Sequence, residues 1–155
     1  MPIINSSFGK NVKVYYPDLT NIYGCTIDDN TTIAPFVEIQ KNVKIGKNCK
    51  ISSHSFICEG VTIGDNCFIG HGVMFINDRY PSAVDKRGEL KKNNGFNLEE
   101  TLIGNNVSIG TNCTIMCGIE IKDFCIIGSA SLVLSNTKEN SVYAGNPAKF
   151  IRKSY

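Results

Sequence analysis

An aliphatic residue stands at every sixth position of this chain. The run reads Ile27, Ile33, Ile39, Ile45, Ile51, Ile57, Ile63, Ile69, Phe75 and, after a break, Ile103, Ile109, Ile115, Ile121, Ile127, Val133. All 15 positions are apolar and 13 are isoleucine, so one kind of side chain holds the phase. Four residues after each comes a small or β-branched residue, as in Thr31, Val37, Cys49, Ser55, Cys67, Cys113 and Cys125. Arg79 is the one departure, and it falls where the run breaks. A period of six fits neither the roughly 3.6-residue period of a helix nor strict alternation. It fits short strands joined by tight corners, each strand turning one large aliphatic inward and each corner one small residue. Three such strands make a triangular coil of about 18 residues. Stacked coils then pair as parallel strands about 4.8 Å apart. Ile, Val and Thr suit strands, and repeated Gly and Asn suit tight corners. A sandwich would place strands every ~8–12 residues without a fixed phase. The expected fold is therefore all-β, a parallel β-helix of hexapeptide repeats.

With 155 residues, 42% of them hydrophobic, the chain is expected to form a single domain over 1–155. A formal charge of +2 is too small to argue for nucleic acid or a membrane surface. No apolar run reaches transmembrane length, and the start, Met1-Pro2-Ile3-Ile4-Asn5, lacks the pattern of a signal peptide. A cytoplasmic location is expected. Of the seven cysteines, Cys49, Cys67, Cys113 and Cys125 fall on the inward small position, as does Cys25 if one extra residue is allowed near Thr20. These read as small core residues. Cys58 and Cys117 fall elsewhere. No CxxC or Cys/His ligand spacing occurs, so no metal is expected.

Residues 8–26 read as a degenerate first coil, with Phe8, Val12, Val14 and Leu19 near register. Between Phe75 and Ile103 the step is 28 residues where one repeat needs six, which leaves 22 extra. The inserted loop, about 77–101, is polar and charged, and a long loop in a rigid solenoid is usually functional. The tail, about 139–155, leaves the register, and its cationic end is expected to pack back on the last coil. The coil period is also a ruler. Once the extra residues are subtracted, His71, Thr111 and Ser129 stack in one column, and Lys41, Glu59 and Asn77 stack in another on the next face.

The hexads, the interrupting loop and the run Ala144-Gly145-Asn146-Pro147-Ala148-Lys149 together resemble the left-handed β-helix acyltransferases, over nearly the whole chain. Two segments are similar to the nucleotide-sugar N-acetyltransferases among them: Ser53-His54-Ser55-Phe56-Ile57-Cys58-Glu59-Gly60-Val61, and Gly70-His71-Gly72-Val73-Met74-Phe75-Ile76-Asn77-Asp78-Arg79-Tyr80-Pro81. The left hand of the coil is taken from this resemblance, since crossover connections are otherwise right-handed. The resemblance implies acetyl-CoA as co-substrate, a nucleotide-linked amino sugar as acceptor, products that enter surface polysaccharides such as lipopolysaccharide, and a homotrimer with sites between subunits. It implies that backbone groups at Thr111 and Ser129 hold the pantetheine arm, and that Lys149 and Arg152 meet the phosphates and adenosine of CoA. Cations suit a polyphosphate. Gln40, His54, Glu59, Asp78 and Arg79 are candidate contacts to the sugar nucleotide, and Asp78 is expected to hold either Arg79 or the substrate.

Related O-acetyltransferases carry a histidine at the start of the loop, because a hydroxyl needs a base. Here that stretch is Ile76-Asn77-Asp78-Arg79. The departure favours an amine acceptor, which is partly neutral near pH ~8 and attacks a thioester directly. Asn77 is expected to orient the amine, with His71 as a second catalytic candidate and a backbone N–H of the CoA column at the oxyanion. The expected substrate is a dTDP-3-amino-3,6-dideoxyhexose. The alternatives are a UDP-linked 2-acetamido-3-amino uronate, or sugar O-acetylation. Two histidines in all do not make the three-histidine zinc site of a β-helix carbonic anhydrase.

Overall fold

The computed structural model describes residues 3–92 and 95–155. Met1 and Pro2 of the chain start, and Asn93 and Asn94 of the inserted loop, lie outside the described residues. Among the described residues, short strands stack into three sheets of seven, six and eight strands. Each strand pairs in parallel with its counterpart one coil away, as Ile45 does with Ile63 and Ile51 with Ile69. The chain passes from the six-stranded sheet to the eight-stranded, to the seven-stranded, and round again. This is the parallel β-helix that the hexads predict, with the left hand that the resemblance implies.

The register residues point inward and stack. Ile39, Ile57, Phe75, Ile115 and Val133 make one such ladder, and each is at most 2% exposed. Burying one aliphatic side chain contributes roughly 1.5–3 kcal/mol, and the repeat supplies one at every strand. The small positions are buried too: Thr31, Cys49, Ser55, Cys67, Cys113, Cys125 and Ser131. Many of them also bond the next coil. Thr31 donates to the Gly46 carbonyl at 2.8 Å and Ser55 to that of Gly70 at 2.9 Å. A small polar residue at the corner therefore both fits and satisfies a buried carbonyl.

Phase is kept across the insertion. Ile63 pairs with Ile103 and Ile69 with Ile109, so the 22 extra residues leave and return at one corner without shifting the core. One expectation fails at the start. Leu19 is exposed and lies in a short 3-10 turn, Pro17–Leu19, while Ile22 takes the register position and Thr20 the inward small one. Pro17 fixes the turn, and the residues it adds move the phase. The first coil begins earlier than expected, with Ile3 pairing to Ile22.

The three corners differ in chemistry. Between the six- and eight-stranded sheets lies an asparagine corner. Asn30, Asn48 and Asn66 adopt φ of 58–59° there, a region Asn tolerates better than most residues. Their side-chain amides form a ladder, Asn30 to Asn48 at 3.3 Å and Asn48 to Asn66 at 3.0 Å. Between the eight- and seven-stranded sheets lies the corner that holds His71. Between the seven- and six-stranded sheets lies the corner from which the insertion springs. At the far end, Ser141–Gly145 and Ala148–Lys153 form an antiparallel hairpin. The cationic residues Lys149, Arg152 and Lys153 stay exposed, and the chain beyond them packs back: Ser154 donates to the Phe124 carbonyl at 2.7 Å, and Tyr155 meets the Phe124 ring edge-on.

Candidate functional site

The insertion corner stacks Lys41, Glu59 and Asn77, as the ruler expects. The Lys41 ammonium lies 3.7 Å from the Glu59 carboxylate. Asn77 donates its side-chain N–H to the Glu59 carbonyl at 3.0 Å. That bond fixes the amide, because a carbonyl can only accept. Asn77 Oδ1 is then left with no donor among the described residues. Gln40 is similarly committed: its Oε1 accepts from the Glu59 N–H at 3.1 Å, and its Nε2 donates to Glu38 at 3.1 Å. A cavity of about 440 Å³ opens in front of these groups, lined by Tyr23, Gln40, Lys41, Phe56, Glu59, Asn77 and Phe96. Phe96 comes from the returning arm of the inserted loop. Burial and the nearby Glu38 carboxylate push the Tyr23 phenol above its ordinary range.

Of the two partners expected for Asp78, Arg79 is not taken. Asp78 Oδ1 accepts instead from the Tyr80 N–H at 3.0 Å, in a local turn. Arg79 bonds Glu99 at 2.9 Å and the Cys117 carbonyl at 2.8 Å. The Cys117 thiol donates to Glu99 at 3.0 Å. That bond first, and the Arg79 bond second, hold the Glu99 carboxyl below its usual range.

Cys58 and Cys117, outside the inward small position in sequence, are nonetheless buried at 1% and 0% exposure. Burial pushes the Cys58 thiol up to about 12, and burial with the Glu99 bond pushes Cys117 up to about 11. Both are neutral thiols near pH 7, which is the opposite of what a nucleophilic cysteine needs.

The other column lies on the far side of the seven-stranded sheet. His71 sits under Thr111 and Thr111 under Ser129, as Asn112 N–H to His71 carbonyl and Ala130 N–H to Thr111 carbonyl bonds of 2.8 Å show. His71 Nδ1 meets Ser53 Oγ at 2.9 Å, and the ring is exposed. The N–H groups of Thr111 and Ser129 have no acceptor among the described residues. Glycines one coil below keep them open: a Cβ on Gly70 would come within 2.8 Å of Thr111 N, and one on Gly110 within 2.6 Å of Ser129 N. The column ends under the closing hairpin, where Ala144 overlies Gly128 and pairs with Lys149. Arg152 pairs with Val142 on the same hairpin, and both cations are exposed.

The structure thus brings Gln40, Glu59 and Asn77 together around one cavity. It sets Asp78 and Arg79 beside it, in the loop root. It groups His71, Thr111, Ser129 and Lys149 on the other edge of the sheet. His54 stands near that edge, stacked on Phe36 at 4.9 Å with φ of 63°. Within one chain, Asn77 and His71 are not brought together, because the strand Met74–Phe75 runs between them. Sequence reasoning missed Cys117, Phe96 and Glu99. Cys117 was findable, since it stacks on Asn77 once the insertion is subtracted. Phe96 and Glu99 lie on the loop's return path, where no period applies.

The family model for bacterial transferase hexapeptide (six repeats) matches residues 24–59, 42–77 and 100–134. The chain is 38% identical over 116 residues to the probable macrolide acetyltransferase of Lysinibacillus sphaericus, covering 66% of this chain and 64% of that one. It is 33% identical over 132 residues to the galactoside O-acetyltransferase of Escherichia coli strain K12, covering 83% of this chain and 63% of that one. It spans less than two thirds of the length of these curated relatives. Its fold resembles the crystal structure of a point mutant of AntD, an N-acyltransferase from Bacillus cereus, in complex with dTDP and coenzyme A. That match has a TM-score of 0.75 at 18% identity, covering 98% of this chain and 85% of that chain. Among the described residues, no three His, Cys, Asp or Glu side chains group as metal ligands.

Proposed function

Since this chain belongs to the hexapeptide-repeat bacterial transferases, we propose that it is an acetyl-CoA-dependent N-acetyltransferase. Its acceptor is the 3-amino group of a nucleotide-linked sugar of the dTDP-3-amino-3,6-dideoxyhexose type, made for surface glycans. The observation that carries this reading is Asn77. Its amide nitrogen is tied to the Glu59 carbonyl and the residue lines the cavity, which leaves its unpartnered carbonyl oxygen as the group to receive an amine. An amide oxygen accepts a hydrogen bond from an amine but is far too weak a base to deprotonate a hydroxyl.

The amine nitrogen, neutral in part near its pKa of roughly 8, attacks the thioester carbonyl. Asn77 Oδ1 holds one amine N–H and aims the lone pair. A free N–H of the Thr111–Ser129 column stabilises the oxyanion. The C–S bond breaks, and the CoA thiolate takes the proton lost by nitrogen. The pantetheine arm lies along Thr111 and Ser129, and Lys149 and Arg152 meet the phosphates. Gln40, His54, Glu59 and Asp78 contact the sugar nucleotide. A second copy of the chain is needed, because one chain holds the acceptor corner and the cofactor column on opposite edges of a sheet. A homotrimer supplies that contact three times.

AntD, which binds dTDP and coenzyme A, supports the nucleotide-sugar part of this reading. The likeness to a galactoside O-acetyltransferase keeps one other reading open, transfer to a sugar hydroxyl with His71 as base. Thiol release from acetyl-CoA, measured with dTDP-3-amino sugars, UDP-2-acetamido-3-amino uronates and plain hydroxyl sugars, separates these. Turnover confined to hydroxyl acceptors would overturn the amine assignment.

A further inference from the structure

The inserted loop is held at its root by three side chains. Arg79, just past Asn77, and Glu99, just before the next strand, form an ion pair at 2.9 Å across 20 residues of chain. Arg79 also donates to the Cys117 carbonyl at 2.8 Å, and the Cys117 thiol donates to Glu99 at 3.0 Å. The pair therefore ties both ends of the loop to one another and to the coil above. Its seat is Gly118, at φ of 71°, where an added Cβ would meet Arg79 Nη2 at 3.1 Å and the Glu99 carboxyl at 3.4 Å. Residues 80–92 beyond the tie are all exposed, so they add little burial to hold the loop in place.

Two residues that line the acceptor cavity hang from this tie. Asn77 lies two positions before Arg79, and Phe96 three before Glu99. Arg79 and Glu99 themselves are absent from that cavity's wall. We propose that the Arg79–Glu99 pair, seated on Cys117 and Gly118, is a positioning device for the acceptor pocket: it sets where Asn77 and Phe96 stand, and neither charged side chain touches the acceptor. The proposal rests on the assignment of that cavity to the amino sugar. It replaces a direct contact between Arg79 and the sugar nucleotide with an indirect role.

A double-mutant cycle of Arg79→Ala and Glu99→Ala tests it, with Michaelis constants measured for dTDP-3-amino sugar and for acetyl-CoA. A positioning pair predicts that each single change raises the acceptor KM about tenfold and that the double variant is no worse than either, since both remove one shared interaction. The acetyl-CoA KM should hold, and Arg79→Lys should recover part of the loss. If Arg79 instead gripped the acceptor, Glu99→Ala would leave the acceptor KM at its native value while Arg79→Ala raised it. That result overturns the proposal. Hydrogen exchange over residues 76–100 gives a readout independent of turnover. Both single variants should lose amide protection at the loop root, and unchanged protection in both overturns the tie. If the native protein transfers acetyl to no amino sugar, the functional assignment fails, and the exchange result still decides the tie.

Discussion

The asparagine corner and the two corners flanking the seven-stranded sheet are built on the same hexads, yet they end differently. Two residues after each register isoleucine, the chain turns and leaves a backbone N–H facing outward. At the asparagine corner the next coil answers it. Lys47 N–H bonds Asp65 at 3.0 Å, Asp65 N–H bonds Asn105 at 2.8 Å, and Asn105 N–H bonds Asp123 at 2.8 Å. At the His71 corner the equivalent positions are Thr111 and Ser129, and their N–H groups find no protein acceptor among the described residues. At the insertion corner Asn77 bonds the coil below through its nitrogen, to the Glu59 carbonyl, and its oxygen has no donor among the described residues. One corner spends its polar groups on the solenoid. The other two each leave polar groups without a protein partner among the described residues, Thr111 and Ser129 N–H at one and Asn77 Oδ1 at the other. Unmade hydrogen bonds cost roughly 1–3 kcal/mol each if they are also cut off from water, so open groups belong at an exposed edge, where these lie.

Matched substitutions test that contrast. Asn77→Ala should lower kcat/KM for the amino sugar by about 10²-fold, the scale of a misplaced reacting group, while Tm barely moves. A full retention of kcat/KM would remove Asn77 from the mechanism. Next come Gly110→Ala and Gly64→Ala. Both crowd backbone of the coil above, Ser129 N at 2.6 Å and the Gly104 carbonyl at 2.7 Å respectively, and should cost about 1–3 kcal/mol in stability. Only Gly110→Ala should also raise the acetyl-CoA KM, read by steady-state kinetics. Asn48→Ala breaks the ladder on both sides and puts Ala at φ of 58°. It should cost about 1–2 kcal/mol in denaturant melts and leave kcat/KM untouched, because that corner holds nothing for a ligand.

The smallest effect is alkaline. Cys58 and Cys117 have raised thiol pKa values, to about 12 and about 11. The fold favours their neutral forms, so their contribution is complete below the ordinary thiol value of ~8.5. It is lost as pH rises from there toward the folded values. Near pH 9 the loss should be under about 1 kcal/mol per thiol. Melts of Cys58→Ala should show a shallower alkaline decline than the native protein.

Much of this was legible in the sequence because a solenoid converts spacing into position. The register residues, the buried Cys49 and Cys113, and the stacking of His71 under Thr111 all follow from counting. The count failed where the chain left the period. Leu19 was misplaced because Pro17 starts an extra turn. Arg79 read as a candidate sugar-nucleotide contact because its partner, Glu99, lies 20 residues on along a path that no repeat governs. Cys117 was within the ruler's reach, but its thiol bond to Glu99 was not.

On the proposed reading, the insertion corner serves an amine that needs no enzyme base. The pH dependence of kcat/KM for the 3-amino sugar tests it most directly, in the native protein and in His54→Asn and His71→Asn. Direct attack predicts one rising limb near pH ~8, matching the free amine of the substrate and preserved in both variants. A limb near pH ~6.5 that vanishes in either histidine variant would contradict it and put a histidine base in place of direct attack.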